Sequence, residues 1–172
     1  MINWAFFPKS TAPHHLCASV VAVFEEHEKD ITSDEHTLDS NSVLFKVASD
    51  LESLGFDVER GKKEHQKVSV PVLFGRNGRV EKSFDVDAWH KQERFVLEVE
   101  AGRATINHQF LKDLFEACLM HEVDYFCVAV RNIYMAANIK NPDFERVITF
   151  FETLYASRRL QLPLKGVMVL GY

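Results

Sequence analysis

Long apolar runs are missing from this sequence. No stretch approaches the roughly 20 residues that cross a bilayer, and Met1-Ile2-Asn3-Trp4 lacks the basic segment and long apolar core of a signal peptide. Cysteine is scarce: Cys17, Cys118 and Cys127 are odd in number and sit in apolar surroundings. That argues against a disulfide framework and predicts buried thiols in a reducing compartment, the cytoplasm by default. Neither Cys-x-x-Cys nor His-Glu-x-x-His spacing occurs, so the usual zinc signatures are missing despite eight histidines. His14 and His15 are adjacent, and on a helix they diverge by about 100° and do not easily share a metal. Net positive charge is also lacking. A balance of -5 argues against holding nucleic acid by bulk electrostatics. No repeat, low-complexity tract or linker divides the chain, and no Ser, His and Asp arrangement stands out for nucleophilic catalysis.

What is present reads as one globular domain over residues 1–172. Hydrophobic residues make up 47% of the chain, fourteen of them Phe, enough for a full core. Leu16, Val20, Val23, Phe24 and His27 recur at helical spacing and predict a helix from about Pro13 to Lys29. A polar connection, Asp30 to Asp39, follows. A second helix begins with Asp39 or Ser40 as N-cap, carries Val43, Leu44, Val47, Leu51 and Leu54 on one face, and stops at Gly55. Phe56–Glu59 begins a sheet. Lys67–Phe74 and Val80–Trp89 flank Gly75-Arg76-Asn77-Gly78, whose Asn-Gly signals a hairpin, and Pro71 marks an edge or a bulge. A strand at Phe95–Ala101, a helix from about Thr105 to His121, a buried strand at Tyr125–Val130, a helix over Asp143–Ser157 and a strand over Lys165–Tyr172 complete the chain. Strands joined through helices should lie parallel.

The chemistry concentrates in residues 84–102. In Phe95-Val96-Leu97-Glu98-Val99-Glu100-Ala101, alternation sends Phe95, Leu97, Val99 and Ala101 to one side and Val96, Glu98 and Glu100 to the other. Phe84-Asp85-Val86-Asp87-Ala88 alternates as well. If the two runs pair around Lys91–Arg94, one register sets Asp87 opposite Glu98 and the other sets Asp85 there. Either gathers carboxylates on one face. Glu98 and Glu100 lie roughly 7 Å apart along a strand and repel by about 2 kcal/mol at an effective dielectric near 20. Such clustering calls for a raised pKa or a bound cation. Oxygen-only ligands suit Mg²⁺ or Mn²⁺. The alternative is a solvated acidic sheet face. Just before these residues, Lys62, Lys63, Lys67, Arg76 and Arg79 form a basic stretch, a candidate contact for a phosphate backbone.

This order, helix, meander, helix and strand, with Asp on the second meander strand and an acidic pair spaced by one residue on the third, resembles the PD-(D/E)xK, or restriction-endonuclease-like, superfamily. The matching core spans about 39–130, with a helical N-terminal extension over 1–38 and a C-terminal helix and strand over 131–172. The resemblance implies an α/β fold: a mixed sheet, antiparallel meander plus helix-connected strands, sandwiched by helices. It implies a Mg²⁺- or Mn²⁺-dependent nuclease acting on DNA, with a homodimer as one arrangement. Asp87, or else Asp85, and Glu98 take the metal-ligand positions. Glu100 stands where the superfamily usually has Lys, and some type II restriction enzymes carry Glu or Gln there. Glu100 is then a further ligand or the general base, or a cation comes from elsewhere, with Lys112 and Arg103 the candidates. Glu52, Asn41 and Asp50 compete to be the polar residue from the preceding helix. Arg103 is also a candidate nucleic-acid contact, His108 could contact a phosphate and Gln109 could contact the site, with an exposed surface residue the alternative for each of the last two. The competing function is a nuclease-like fold without catalysis, serving nucleic-acid binding or protein assembly.

Overall fold

The computed structural model describes residues 1–102, 104–105, 108–136 and 139–172. In chain order the elements are β1 (Asn3–Phe7), α1 (His15–Glu26), α2 (Glu28–Ile31), α3 (Ser40–Ser53), β2 (Asp57–Val58), β3 (Val68–Phe74), β4 (Val80–Val86), β5 (Ala88–His90), β6 (Phe95–Glu100), α4 (Gln109–Leu119), β7 (Tyr125–Val130), β8 (Tyr134–Ala136), β9 (Ile139–Asn141), α5 (Asp143–Ser157) and β10 (Gly166–Gly171). Six strands form one mixed sheet in the order β1-β10-β7-β6-β5-β2. The helix-joined strands β6, β7 and β10 run parallel, while β1, β5 and β2 pair antiparallel with their neighbours. None of the described helices is long and apolar enough to cross a membrane.

The helices fall on both faces because the central strands are apolar on both sides. Leu97, Val99, Cys127, Ala129, Met168 and Leu170 pack against α1 and α3, through residues such as Val20, Phe24, Val47 and Leu51. On the reverse face Val96, Phe126, Val128, Val167 and Val169 meet Phe110 and Leu114 of α4 and Val147 and Phe151 of α5. Asp39 caps α3, accepting the Ser42 N–H at 2.7 Å. Gly55 ends it with φ +100°, and a Cβ there would lie 2.8 Å from His90 Nε2. The close approach needs a residue without a side chain, and it fixes the end of α3 against β5.

The β3–β4 ribbon stands apart from the main sheet. Its turn uses Asn77 at φ 60° and Gly78 at φ 71°, as the Asn-Gly pair predicts. Register shifts follow Pro71, and the Pro71 carbonyl accepts the His121 N–H at 2.7 Å. Cys17 and Cys127 are buried and Cys118 is half-buried, all as free thiols.

Four expectations change. Residues 3–7 form a strand where the sequence suggested only a helical extension. Phe6 and Phe7 are both buried, one in each layer, so β1 shows no alternation of period two. The first helix is shorter than Pro13–Lys29: His14 is its extended N-cap, and the chain breaks at His27 before α2. The helix after the acidic strand starts at Gln109, because His108 adopts φ 52° and cannot continue a helix backwards. Lastly, Val80–Trp89 is two strands, with Asp87 at the break.

Candidate active site

The break at Asp87 builds the site. Ala88, Trp89 and His90 pair with Leu97, Val96 and Phe95, so the register sets Asp87 opposite Glu98. There the backbone ladder gives way to side chains. The Asp87 carboxylate accepts the Val99 N–H at 2.7 Å, and Glu98 Oε2 accepts the Asp87 N–H at 3.4 Å. On the other flank Glu59 N–H donates to the Asp87 carbonyl at 2.8 Å. Having satisfied these groups, β4 bends out to join β3, and β5 stays in the sheet.

Glu98 and Glu100 project from β6 on the α4 side, as the alternation predicts. The helix supplies a carboxylate that sequence reasoning missed. Asp113 is 6% exposed, its Oδ2 has no hydrogen-bond partner, and its carboxyl lies within hydrogen-bonding reach of Glu100. Asp87 and Glu98 are likewise within reach of each other. Among the described residues no three of these carboxylates bring one oxygen each within 4.8 Å of one another. They form two neighbouring pairs.

The electrostatics follow from burial without compensation. Burial raises the Asp87 carboxyl to about 6, against the Val99 N–H and with help from Glu59 and Asp113. Burial, then the charges of Asp87 and Asp113, raises Glu98 well above the carboxylate range. Burial and the hydrogen bond to Asp113 take Glu100 up to about 8. Burial also raises Asp113, partly offset by Glu100 and Lys112. Each group resists ionisation for want of positive charge. Lys112 supplies little: its Nζ lies 3.1 Å from Glu116 Oε2 and 3.7 Å from Asp113 Oδ1, on an exposed side chain. The all-oxygen donor set, half-buried at Asp87, Glu98 and Glu100 and buried at Asp113, with an orphaned carboxylate oxygen, fits a hard divalent cation.

Other expected residues lie elsewhere. Asp85 is turned to the ribbon, bound by Lys67 Nζ at 2.6 Å and Ser69 Oγ at 2.6 Å, and the Lys67 bond holds its carboxyl below the usual range. Lys67 is therefore engaged with a carboxylate rather than free to meet a phosphate. Glu52 forms a two-bond pair with Arg60 at 2.8 and 2.6 Å, and Asp50 meets His27 at 2.7 Å. Asn41 lines a different hollow, with Leu44 and Glu59. Lys62 and Lys63 are exposed before the ribbon, and Arg76 and Arg79 are exposed at its tip, so the basic stretch is divided between two places and is not one patch. Arg103 lies outside the described residues. His108 opens onto a hollow with Phe110 and Arg146. Gln109 does approach the site: with Glu100, Ser40, Arg131 and Tyr134 it lines a groove of about 570 Å³.

The histidine expectation also needs correction. His14, His15 and Glu93 bring ligand atoms within 4.8 Å of one another. The 100° argument fails because His14 is the extended cap of α1 and not a helical residue. His14 Nδ1 accepts the Leu16 N–H at 3.3 Å, and Nε2 faces Glu93 at 3.2 Å. The tautomer that satisfies both carries its proton on Nε2 and donates it to Glu93. This group sits at the β5–β6 turn, at the far end of β6 from Glu100.

No protein-family model matches the chain, and no curated protein matches it by sequence. Among solved structures, restriction endonuclease BglII complexed with a DNA 16-mer is similar in fold, with a TM-score of 0.53 and 12% identity over 99% of this chain and 75% of that one. The chain thus has a mixed α/β fold of the restriction-endonuclease type.

Proposed function

We propose that this chain is a divalent-metal-dependent nuclease that hydrolyses phosphodiester bonds in DNA, with a variant of the PD-(D/E)xK site. One observation carries the reading: Asp87, at the break between β4 and β5, stands opposite Glu98 of β6, both half-buried, with proton affinities raised by desolvation and by neighbouring acids. The fold shared with a DNA-cleaving enzyme supports it.

In this reading Asp87 and Glu98 hold Mg²⁺ or Mn²⁺. A cation there would neutralise phosphate charge and stabilise the charge that grows on the leaving oxygen. The Val99 N–H and the Asp87 N–H fix the two carboxylates in place before any ligand arrives, which limits the reorganisation needed on binding. Glu100 lines the groove and is the group to accept a proton from water once ionised, which a nearby cation would favour by lowering its value from about 8. Lys112, held by Glu116, offers positive charge at the rim. Lys62 and Lys63 before the ribbon, and Arg76 and Arg79 at its tip, are left to meet the DNA backbone.

The test is nicking of supercoiled plasmid with Mg²⁺ or Mn²⁺, with and without a chelator. Cleavage that needs the metal and is lost in Asp87→Asn and Glu98→Gln supports the reading. Equal cleavage by both variants and the parent chain refutes it. Glu100 at the usual lysine position favours a second reading, a DNA- or protein-binding module that has lost catalysis. It predicts metal or DNA binding with no cleavage under any condition.

A further inference from the structure

A buried cation with no acidic partner stands beside the site. Arg131 follows the last residue of β7 and is 6% exposed. Its Nη2 donates to the Leu38 carbonyl, and its guanidinium carbon stands 5.5 Å from the centre of the Tyr134 ring. The Tyr172 hydroxyl, which donates to the Glu100 carbonyl at 3.3 Å, is also close to it. None of these three is an anion. Among the described residues, which include every Asp and Glu of the chain, no carboxylate oxygen comes within 4.0 Å of Arg131. Asp39 and Asp143 act on it from further off. A buried guanidinium is ordinarily paired, and this one keeps N–H donors and a whole charge to give.

The groove gives that charge somewhere to act. Arg131 and Tyr134 line the hollow of about 570 Å³ that also holds Glu100, Gln109 and Ser40. β6 and β7 run parallel with Glu100 beside Val130, so Ala101 and Arg131 leave the sheet together at the carboxyl ends of the two strands. Open α/β sheets bind ligands at that end. The first turn of α3 closes the same end. Ser40 Oγ accepts the Ala101 N–H at 3.1 Å, which leaves its hydroxyl proton for another acceptor. A helix N-terminus also favours negative charge. Asp39, the other acid of the groove, is spent on the cap, accepting the Ser42 N–H at 2.7 Å. Glu100 carries little charge until a cation binds, since burial and Asp113 raise it to about 8.

We propose that Arg131 and Ser40 form a phosphate-binding position, which takes a backbone phosphate of DNA next to the one held at Glu98 and Glu100. The forked guanidinium offers parallel N–H donors to two oxygens of that phosphate, and the Ser40 hydroxyl donates to one of them. Arg131 thereby fixes the register of the strand against the carboxylates. The proposal rests on the DNA part of the reading above and not on cleavage.

The test titrates a short fluorescein-labelled DNA duplex with the full chain in Ca²⁺, a hard cation that suits oxygen ligands. Anisotropy is followed over a salt series. Arg131→Gln is expected to bind about tenfold more weakly and to lower the salt slope by about 1. Ser40→Asp guards against loss of the fold. An acid in the first helical turn is favourable, and Asp keeps an acceptor for the Ala101 N–H. It sets a negative charge where the phosphate sits and is expected to weaken binding by a similar factor. Both variants are checked for a cooperative melt. Either one, folded and matching the parent in affinity and slope, overturns the proposal. A parent chain that binds DNA with this pattern and never cleaves it supports the phosphate position and refutes the metal-dependent nuclease. A parent that binds no DNA removes the DNA reading and this proposal together.

Discussion

Replacing Asp87 by Asn should make the metal-free protein more stable, although it removes a residue central to the proposed site. The Asp87 carboxyl is raised from an ordinary 3.8 to about 6 by burial and by neighbouring acids. At about 1.4 kcal/mol per pH unit, its ionised form costs the fold roughly 3 kcal/mol once the pH is well above 6. Asn has nearly the same shape and keeps an oxygen for the Val99 N–H now held at 2.7 Å. Exchanging a charge-assisted bond for a neutral one gives back about 1 kcal/mol. The net gain is about 2 kcal/mol. For a chain of 172 residues, with about 2–4 °C per kcal/mol, that is a rise of roughly 4–8 °C. The assay is thermal melting at pH 8 with a chelator present, repeated at pH 4, where the difference should shrink because the folded carboxyl is protonated and the unfolded one, with its ordinary value of 3.8, is only about half ionised. In saturating Mg²⁺ the parent should gain stability and the variant should not. An Asn variant that melts at or below the parent at pH 8 without metal refutes the claim that this carboxylate is desolvated and uncompensated.

Further predictions concern pH, the backbone and the basic ribbon. Asp87 and Glu100 both have raised folded values, about 6 and about 8, so their contribution is fully present below the unfolded values near 4 and is lost as pH climbs through 6 to 8. Metal-free melting temperature should therefore fall across that window, and saturating Mg²⁺ should flatten the fall; a profile independent of metal contradicts this. Gly55→Ala should destabilise by about 1–3 kcal/mol, since φ is +100° and the new Cβ would lie 2.8 Å from His90 Nε2; urea unfolding measures it. The double variant Arg76→Ala/Arg79→Ala should weaken DNA binding and reduce its salt slope by about 2, without altering Mn²⁺ binding.

Much of this architecture is legible in the residues because burial imposes a period. Phe95 to Ala101 alternates since one side faces α3 and the other carries the acids. Tyr125–Val130 is apolar throughout because both faces are covered. The Asp39 cap and Gly55 stop of α3, the Asn-Gly turn and the bulge after Pro71 are local devices whose residues announce them. The N-terminal strand is hidden for the opposite reason. As an edge strand it buries Phe6 and Phe7 in different layers, and Trp4 is exposed, so no periodic signal arises.

The site was half visible. Two registers placed either Asp85 or Asp87 against Glu98, and the choice depends on where the strand bends. There the Asp87 side chain accepts the Val99 N–H and the Glu98 side chain accepts the Asp87 N–H, and Lys67 with Ser69 draws Asp85 to the ribbon. Asp113 could not be found by pattern, because between Lys112 and Glu116 it reads as one of the charges on a solvated helix face. Only the docking of α4 through Phe110 and Leu114 turns it inward. Glu59 is similar: pairing of β2 with β5 brings it beside Asp87, although it lies 28 positions earlier in the chain.

A crystal grown with Mn²⁺ and measured at the manganese absorption edge tests the central claim most directly. The account predicts anomalous density between the Asp87 and Glu98 carboxylates, lost in Glu98→Gln crystals. Density found only beside His14, His15 and Glu93, or none within reach of Asp87 in crystals soaked to saturation, contradicts it.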